Sequence, residues 1–182
     1  MKNTIIVNFF AGPGAGKSTA AAWLFYKLKQ KGITAELVTE YAKDAVWEEN
    51  GLAFKCQFYT TGKQAYRVCR VNGKVDVAIV DSPIALGAVY ADFPELAETC
   101  LKEFEKYGDN NLNIRLLRPD SFEKEGRRHN EQEAIELDKK VLDVLKNYTF
   151  YTFKADEKEY KDILNLVLRE LSIRGVLPDP NR

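Results

Sequence analysis

Histidine and cysteine are scarce in this chain: His129 stands alone, and three cysteines are spread over 182 residues. Cys56, Cys69 and Cys100 are odd in number and lack the paired spacing of metal ligands. Neither a disulfide framework nor a cysteine metal site is expected to organise the fold. They read as reduced residues of the core or of helices, as in a cytosolic protein. Excess charge is missing too, because Lys+Arg and Asp+Glu number 27 each. Nothing draws the whole molecule toward nucleic acid or a membrane surface, and only a local basic patch stays open. No apolar run has membrane-spanning length, and the N-terminus enters its first strand with no signal peptide before it. Repeats and low-complexity tracts are also lacking. The expectation is a soluble, cytoplasmic, single domain over residues 1–174, with a loosely held tail at 175–182.

Glycine, by contrast, is concentrated in Ala11-Gly12-Pro13-Gly14-Ala15-Gly16-Lys17-Ser18-Thr19. Residues 4–10 (TIIVNFF) before it read as a buried strand. Residues 20–29 after it are rich in helix formers, with Ala21, Leu24, Phe25 and Leu28 along one face. A strand, a glycine-rich turn ending in Gly-Lys-Ser, and a helix form the context of a phosphate-binding P-loop. Glycines let successive N–H groups face a phosphate chain, and the helix start adds partial positive charge. Gly12, Pro13, Gly14, Ala15, Gly16, Lys17, Ser18 and Thr19 are the expected nucleoside triphosphate contacts. Lys17 would reach the β- and γ-phosphates, and Ser18 would ligate Mg²⁺. Ala11 stands where the pattern usually begins with glycine, leaving Gly12 and Gly14 to supply the backbone freedom.

Along the chain, Gly32 ends the first helix, and residues 34–39 (TAELVT) read as a second strand leading into Glu40-Tyr41-Ala42. A helical region over 44–71 is expected to break near Asn50-Gly51 and near Thr61-Gly62. Residues 75–80 (VDVAIV) form a third strand ending at Asp81-Ser82-Pro83. Helix is expected to resume after Pro83, and again over 95–107 with Asp92 as its cap. A fourth strand at 112–117 ends in Arg118. The charged stretch 120–130 contains Arg127, Arg128 and His129. Asn130 with Glu133 resembles a capping box for a helix with Ala134, Leu137, Val141 and Leu145 inward. A fifth strand at 148–153 precedes a last helix capped by Asp156 and Glu159. Strands alternating with helices imply an α/β fold, a parallel sheet covered on both faces, with ligands at the carboxyl ends of its strands.

Asp81 ends an apolar strand, where a carboxylate can hold Mg²⁺ directly or through water; the bland alternative is a helix cap before Ser-Pro. Glu40 is either a functional carboxylate or a surface cap. Arg118, leaving the fourth strand, is a candidate near the nucleotide. Gln57, Tyr59, Lys63, Gln64, Tyr66, Arg67 and Arg70 form a polar-aromatic set able to read and stack a base, or merely a solvated helix face. With Lys74 its cations are a candidate local basic patch.

These segments resemble the small P-loop kinases of the nucleoside and nucleotide kinase group over residues 4–171. That resemblance implies a three-layer P-loop NTPase fold with a five-stranded parallel sheet in the order 2-3-1-4-5. Residues 10–19, 38–47, 75–83 and 126–138 are similar to compact ATPase-like kinases of bacteriophages, some of which phosphorylate 5-hydroxymethyluracil in phage DNA. Glu40-Tyr41-Ala42 resembles the nicotinamide riboside kinase domain. The resemblance implies that ATP and Mg²⁺ are the cofactors and that Glu40 accepts the proton of the acceptor hydroxyl. It implies that Arg127 and Arg128 lie in a lid loop at about 119–130, and that Gln57, Gln64 and Arg67 contact the acceptor. It also implies host cytoplasm if the chain is phage-encoded. Asp81-Ser82-Pro83 lacks the arginine that cellular deoxynucleoside and thymidylate kinases carry there.

Three functions are carried forward from these residues. One is a kinase acting on a base hydroxyl in DNA, and another is a kinase of free nucleosides or nucleotides. The third is a P-loop ATPase or regulator without an acceptor, which needs neither a base-reading helix nor a carboxylate after the second strand.

Overall fold

In a computed structural model, which describes residues 2–118 and 131–176, the apolar stretch after the N-terminus becomes the central strand of a five-stranded sheet. All six residues of β1 (Ile5–Phe10) are buried. Burial on both faces is what a continuous apolar run signals in a parallel sheet. The remaining strands are β2 (Ala35–Val38), β3 (Val77–Val80), β4 (Asn111–Leu117) and β5 (Tyr151–Lys154). All pairings are parallel and the order is β2-β3-β1-β4-β5, as expected.

Side chains alternate between two packed faces. Ile5, Val7 and Phe9 join Val77, Ile79, Leu112, Ile114 and Leu116 against α1 (Lys17–Gln30) and α6 (Glu157–Ile173). On the other face, Ile6, Ala78 and Val80 meet Val68 and Val71 at the end of α3 (Gln57–Cys69). Phe10 packs with Phe104 of α4 (Pro94–Glu105) and with Val141 and Leu145 of α5 (Glu131–Leu145). One polar residue interrupts β1. The Asn8 amide is 2% exposed and donates to Asn111 Oδ1 at 2.9 Å and Asn113 Oδ1 at 3.2 Å on β4.

The expected break at Asn50-Gly51 is present, between α2 (Tyr41–Trp47) and a short 3₁₀ turn at Ala53–Lys55. The expected break at Thr61-Gly62 is absent, and α3 runs through it. An exposed helical glycine costs only about 1 kcal/mol. Burial of Thr60, Gln64 and Val68 along one face outweighs that cost. After Pro83 the chain forms a 3₁₀ segment, Ile84–Val89, rather than an α-helix. Asp92 does not cap α4; Phe93 occupies that position, and Pro94 supplies the preset φ of a first helical residue. Strand β5 starts later than expected because Tyr148 turns inward, its ring 5.2 Å from Phe104 and its hydroxyl on Glu105. Asp156 does cap α6, accepting from Glu159 N–H at 2.9 Å. The Asn130 half of the other expected capping box lies outside the described residues. Cys56 and Cys69 are exposed and only Cys100 is buried; all three are free. Among the described residues no helix is long and apolar enough to cross a membrane.

Candidate active site

The turn from β1 into α1 is shaped by two glycines in the left-handed region, Gly14 (φ 78°) and Gly16 (φ 86°). Side chains there would be strained, so these two glycines give the loop its curl. Gly12 has no positive φ; its contribution is the missing Cβ. A Cβ at Gly12 would lie 2.7 Å from both Ala134 O and Asp138 Oδ1, which leaves no room for one. Lys17 is buried, and its ammonium donates to Ala11 O at 2.9 Å and Gly12 O at 3.0 Å. Ala11 therefore does its work through its carbonyl, which any residue offers.

Beside the loop, the Ser18 hydroxyl donates to Asp81 Oδ2 at 2.6 Å. Asp81 Oδ1 is buried and has no hydrogen-bond partner among the described residues. A buried carboxylate oxygen left without a donor is costly, and a hard cation would satisfy it. Ser18 and Asp81 are thus a donor set that fits Mg²⁺. Asp81 caps no helix, since Pro83 stands before the 3₁₀ segment, which contains no side-chain cap.

Glu40 follows β2 and stands at the N-terminus of α2 without making a capping bond to it. It lines a cleft of about 320 Å³ that also takes in Ala11, Pro13 and Lys17 from the loop. Gln57, Thr60, Thr61 and Gln64 of α3 line the cleft as well, as do Phe54 and Tyr90. That volume is at the lower end of the range for ligand pockets, suited to one nucleoside-sized group. Gly87 lies on the cleft wall against α3 and α4. A Cβ there would come within 2.8 Å of Thr61 Oγ1 and Cys100 Sγ. Partial burial of a side chain that is still 36% exposed, followed by the charges of Glu40 and Asp138, pushes the Tyr90 hydroxyl above its ordinary pKa.

The helix α3 divides its expected acceptor residues between two jobs. Gln57 and Gln64 line the cleft, whereas Tyr59, Lys63 and Arg67 are not among its walls. Gln64 accepts from Tyr41 N–H at 2.9 Å and donates to Thr39 O at 3.4 Å. Arg67 donates to Thr39 O at 3.1 Å and Thr39 Oγ1 at 2.8 Å, pairs with Asp44, and lies over the Tyr41 ring. Gln64 therefore holds the backbone on both sides of Glu40, and Arg67 holds it on the Thr39 side. Tyr59 meets the Tyr41 hydroxyl at 3.1 Å, and Lys63 sits over the Tyr59 ring. The Tyr59 hydrogen bond, with burial, raises the Tyr41 pKa to about 12.

Arg118 lies beside the loop, donating to Pro13 O at 2.8 Å and pairing with Asp138 of α5. Asp138 in turn accepts from Gly12 N–H at 2.6 Å. Sequence reasoning missed Asp138 and Tyr90. A signal for Asp138 existed: it is a carboxylate four residues after Ala134, on the stripe that carries Val141 and Leu145 into the core. Arg127 and Arg128 lie outside the described residues.

Comparison with known proteins places this geometry. No curated protein sequence matches the chain. Among solved structures it is similar to deoxyadenosine kinase from M. mycoides with bound dCTP. There the TM-score is 0.56 at 16% identity, covering 92% of this chain and 98% of that one. The same kinase with bound dATP gives a TM-score of 0.54 at 19% identity, covering 92% and 99%. NadR in complex with NAD and AMP-PNP gives 0.62 at 17% identity, covering 92% of this chain and 49% of that one. At such identities the likeness is one of fold, the P-loop NTPase architecture. The AAA domain family model matches residues 6–161, and the chain belongs to that family.

Proposed function

We propose that this protein is an ATP:Mg²⁺-dependent kinase that phosphorylates a hydroxyl borne by a nucleobase, nucleoside or nucleotide. One observation carries the reading: a single cleft is lined by Lys17 of the glycine-rich loop, by Glu40, and by Gln57, Gln64, Phe54 and Tyr90, which make it an amide-bearing and aromatic recess. A nucleotide-binding regulator needs the loop but has no use for that recess. Mg²⁺ held at Ser18 and Asp81 would neutralise charge on the β- and γ-phosphates. Lys17 would leave the loop carbonyls for the phosphates. Glu40 would accept the proton of the acceptor hydroxyl as its oxygen forms a bond to the γ-phosphorus. The bond from that phosphorus to the β,γ-bridging oxygen breaks, and ADP leaves with the electron pair.

A narrower acceptor, 5-hydroxymethyluracil in DNA, is favoured by the outer side of α3. Phe58 and Tyr66 are 67% and 68% exposed there. Lys63, Arg70 and Lys74 are exposed in the same region. Exposed rings beside cations suit stacking and phosphate contact with a single strand. The cleft has room for one nucleoside, so a base in duplex DNA must be flipped to enter it.

The test is transfer of label from γ-³²P ATP, run in parallel on hydroxymethyluracil DNA, unmodified DNA, free nucleosides and nucleotides. Label on any acceptor that depends on Lys17 supports the kinase. ATP binding with no labelled acceptor favours the regulator. Label on free nucleosides alone removes the DNA reading.

A further inference from the structure

We infer that Asp138 and Arg118 form a charge-balanced clamp on the entry to the phosphate-binding loop, with Asp138 the positioning residue for nucleotide binding. The inference rests on the nucleotide-binding reading of that loop. Asp138 Oδ1 accepts the Gly12 N–H at 2.6 Å. Its other oxygen takes Arg118 Nε at 2.9 Å and Nη2 at 2.8 Å. Arg118 Nη1 then donates to Pro13 O at 2.8 Å, and Nη2 also reaches Ala134 O at 3.2 Å. The chain of contacts closes on itself, from the Gly12 N–H through two side chains to the next residue's carbonyl.

Two further observations support the assignment. Position 12 is closed to any side chain by Asp138 and by the backbone of α5, so the glycine there serves this contact rather than a positive φ. From the other direction, Lys17 holds the carbonyls of Ala11 and Gly12. Among the described residues the loop entry is thus gripped by two cations and one anion, with contacts from Ala11 to Pro13.

The anion is the unexpected member. A carboxylate beside a polyphosphate site repels the ligand unless its charge is offset. Arg118, with a side chain only 14% exposed, supplies that offset. Removing Arg118 therefore does two things: it releases Pro13 and uncovers a negative charge next to the phosphates. Removing Asp138 releases Gly12 and takes the carboxylate partner from Arg118, but leaves no negative charge beside the phosphates. The two changes must interact, and the cost of losing Arg118 must fall when Asp138 has already lost its charge.

The experiment is equilibrium binding of a fluorescent ATP analogue with Mg²⁺ and no acceptor, competed with ATP, with Tm recorded for each variant. Asp138→Ala should weaken binding roughly tenfold, while Asp138→Asn, which keeps an acceptor for Gly12, should stay within about threefold of the parent. Arg118→Ala should weaken binding more than Asp138→Ala does. The Arg118→Ala/Asp138→Asn pair should bind more tightly than Arg118→Ala alone. Unchanged affinity in Asp138→Ala overturns the clamp, and a double variant no better than Arg118→Ala overturns its charge balance. Should Asp138→Ala fail to fold, the Asp138→Asn comparisons decide the matter. If the parent binds no nucleotide, the nucleotide reading of the loop falls and takes the clamp with it. Parent binding with indifferent variants overturns the clamp alone.

Discussion

The Ser18 hydroxyl meets the Asp81 carboxylate at 2.6 Å, tying the first turn of α1 to the end of β3. The contact uses one carboxylate oxygen and leaves the other buried without a donor. Asp81→Asn should raise the Mg²⁺ concentration needed for half-maximal turnover, because an amide is a poorer ligand for a hard cation. Ser18→Ala should shift it in the same direction. Initial rates across a Mg²⁺ titration measure both, and an Asp81→Asn curve superimposed on the parent would rule the metal role out.

Lys17 is the only cation here with its ammonium on the carbonyls of Ala11 and Gly12 among the described residues. Lys17→Ala should lower turnover roughly 10²-fold or more, since phosphoryl transfer depends on charge neutralisation at the transferred group. Circular dichroism should show the fold retained. Turnover within about threefold of the parent at saturating ATP and Mg²⁺ would sink the kinase reading of the loop.

Glu40 and the residues that hold it should separate kinetically. Glu40→Gln should leave ATP affinity unchanged and lower the transfer rate roughly 10²-fold, the loss typical of a missing general base. Arg67→Ala should follow the same pattern more weakly, because it frees the Thr39 backbone without touching the loop. Single-turnover rates and ATP dissociation constants, measured on both variants, provide the check. An Arg67→Ala variant whose ATP affinity falls while its transfer rate is kept contradicts this division.

Tyrosine deprotonation should limit stability in alkali. Burial raises Tyr107 and Tyr148 to about 12, and Tyr41 reaches about 12 chiefly through its bond to Tyr59. Tyr90 and Tyr160 also move up, in both cases mainly through burial. A raised folded pKa means that the folded state keeps protons which the unfolded state releases. The stabilisation is complete below the ordinary value of 10.0 and disappears as pH climbs toward about 12. In that window only part of the tyrosinate absorbance of nine tyrosines should appear before unfolding, and urea should release the rest. Uniform titration of the folded protein near 10 would refute it.

The strands and the loop were readable in advance because their signals are local, whereas the order of the strands came only with the family resemblance. A two-sided apolar run marks a central strand, and glycines ahead of Lys-Ser mark the loop. The roles within α3 were not, because they depend on what α3 packs against. Gln64 and Gln57 share a face, yet Gln64 is engaged by Tyr41 and Thr39, residues more than twenty positions away. Arg67, expected to contact the acceptor, also bonds Thr39 and pairs with Asp44, contacts that no local pattern announces. Asp138 escaped notice since a helix with a sound apolar stripe draws attention to its leucines. The boundary of β5 shifted for a similar reason: Tyr148 has strand character but finds its partner on α4.

The Asn8 amide bears on events at the far end of its strand. It meets Asn111 and Asn113 with Asn8 lying opposite Asn113, the observed register. Sliding β4 by one residue moves it about 3.3 Å and turns every side chain to the other face, which would set Ile114 or Leu112 against a buried amide. The same slide would carry Arg118 beyond reach of the Pro13 carbonyl that it now contacts at 2.8 Å. Asn8 thus works as an alignment key against slides of one residue: the pairing that satisfies this amide is the one that delivers the arginine to the loop.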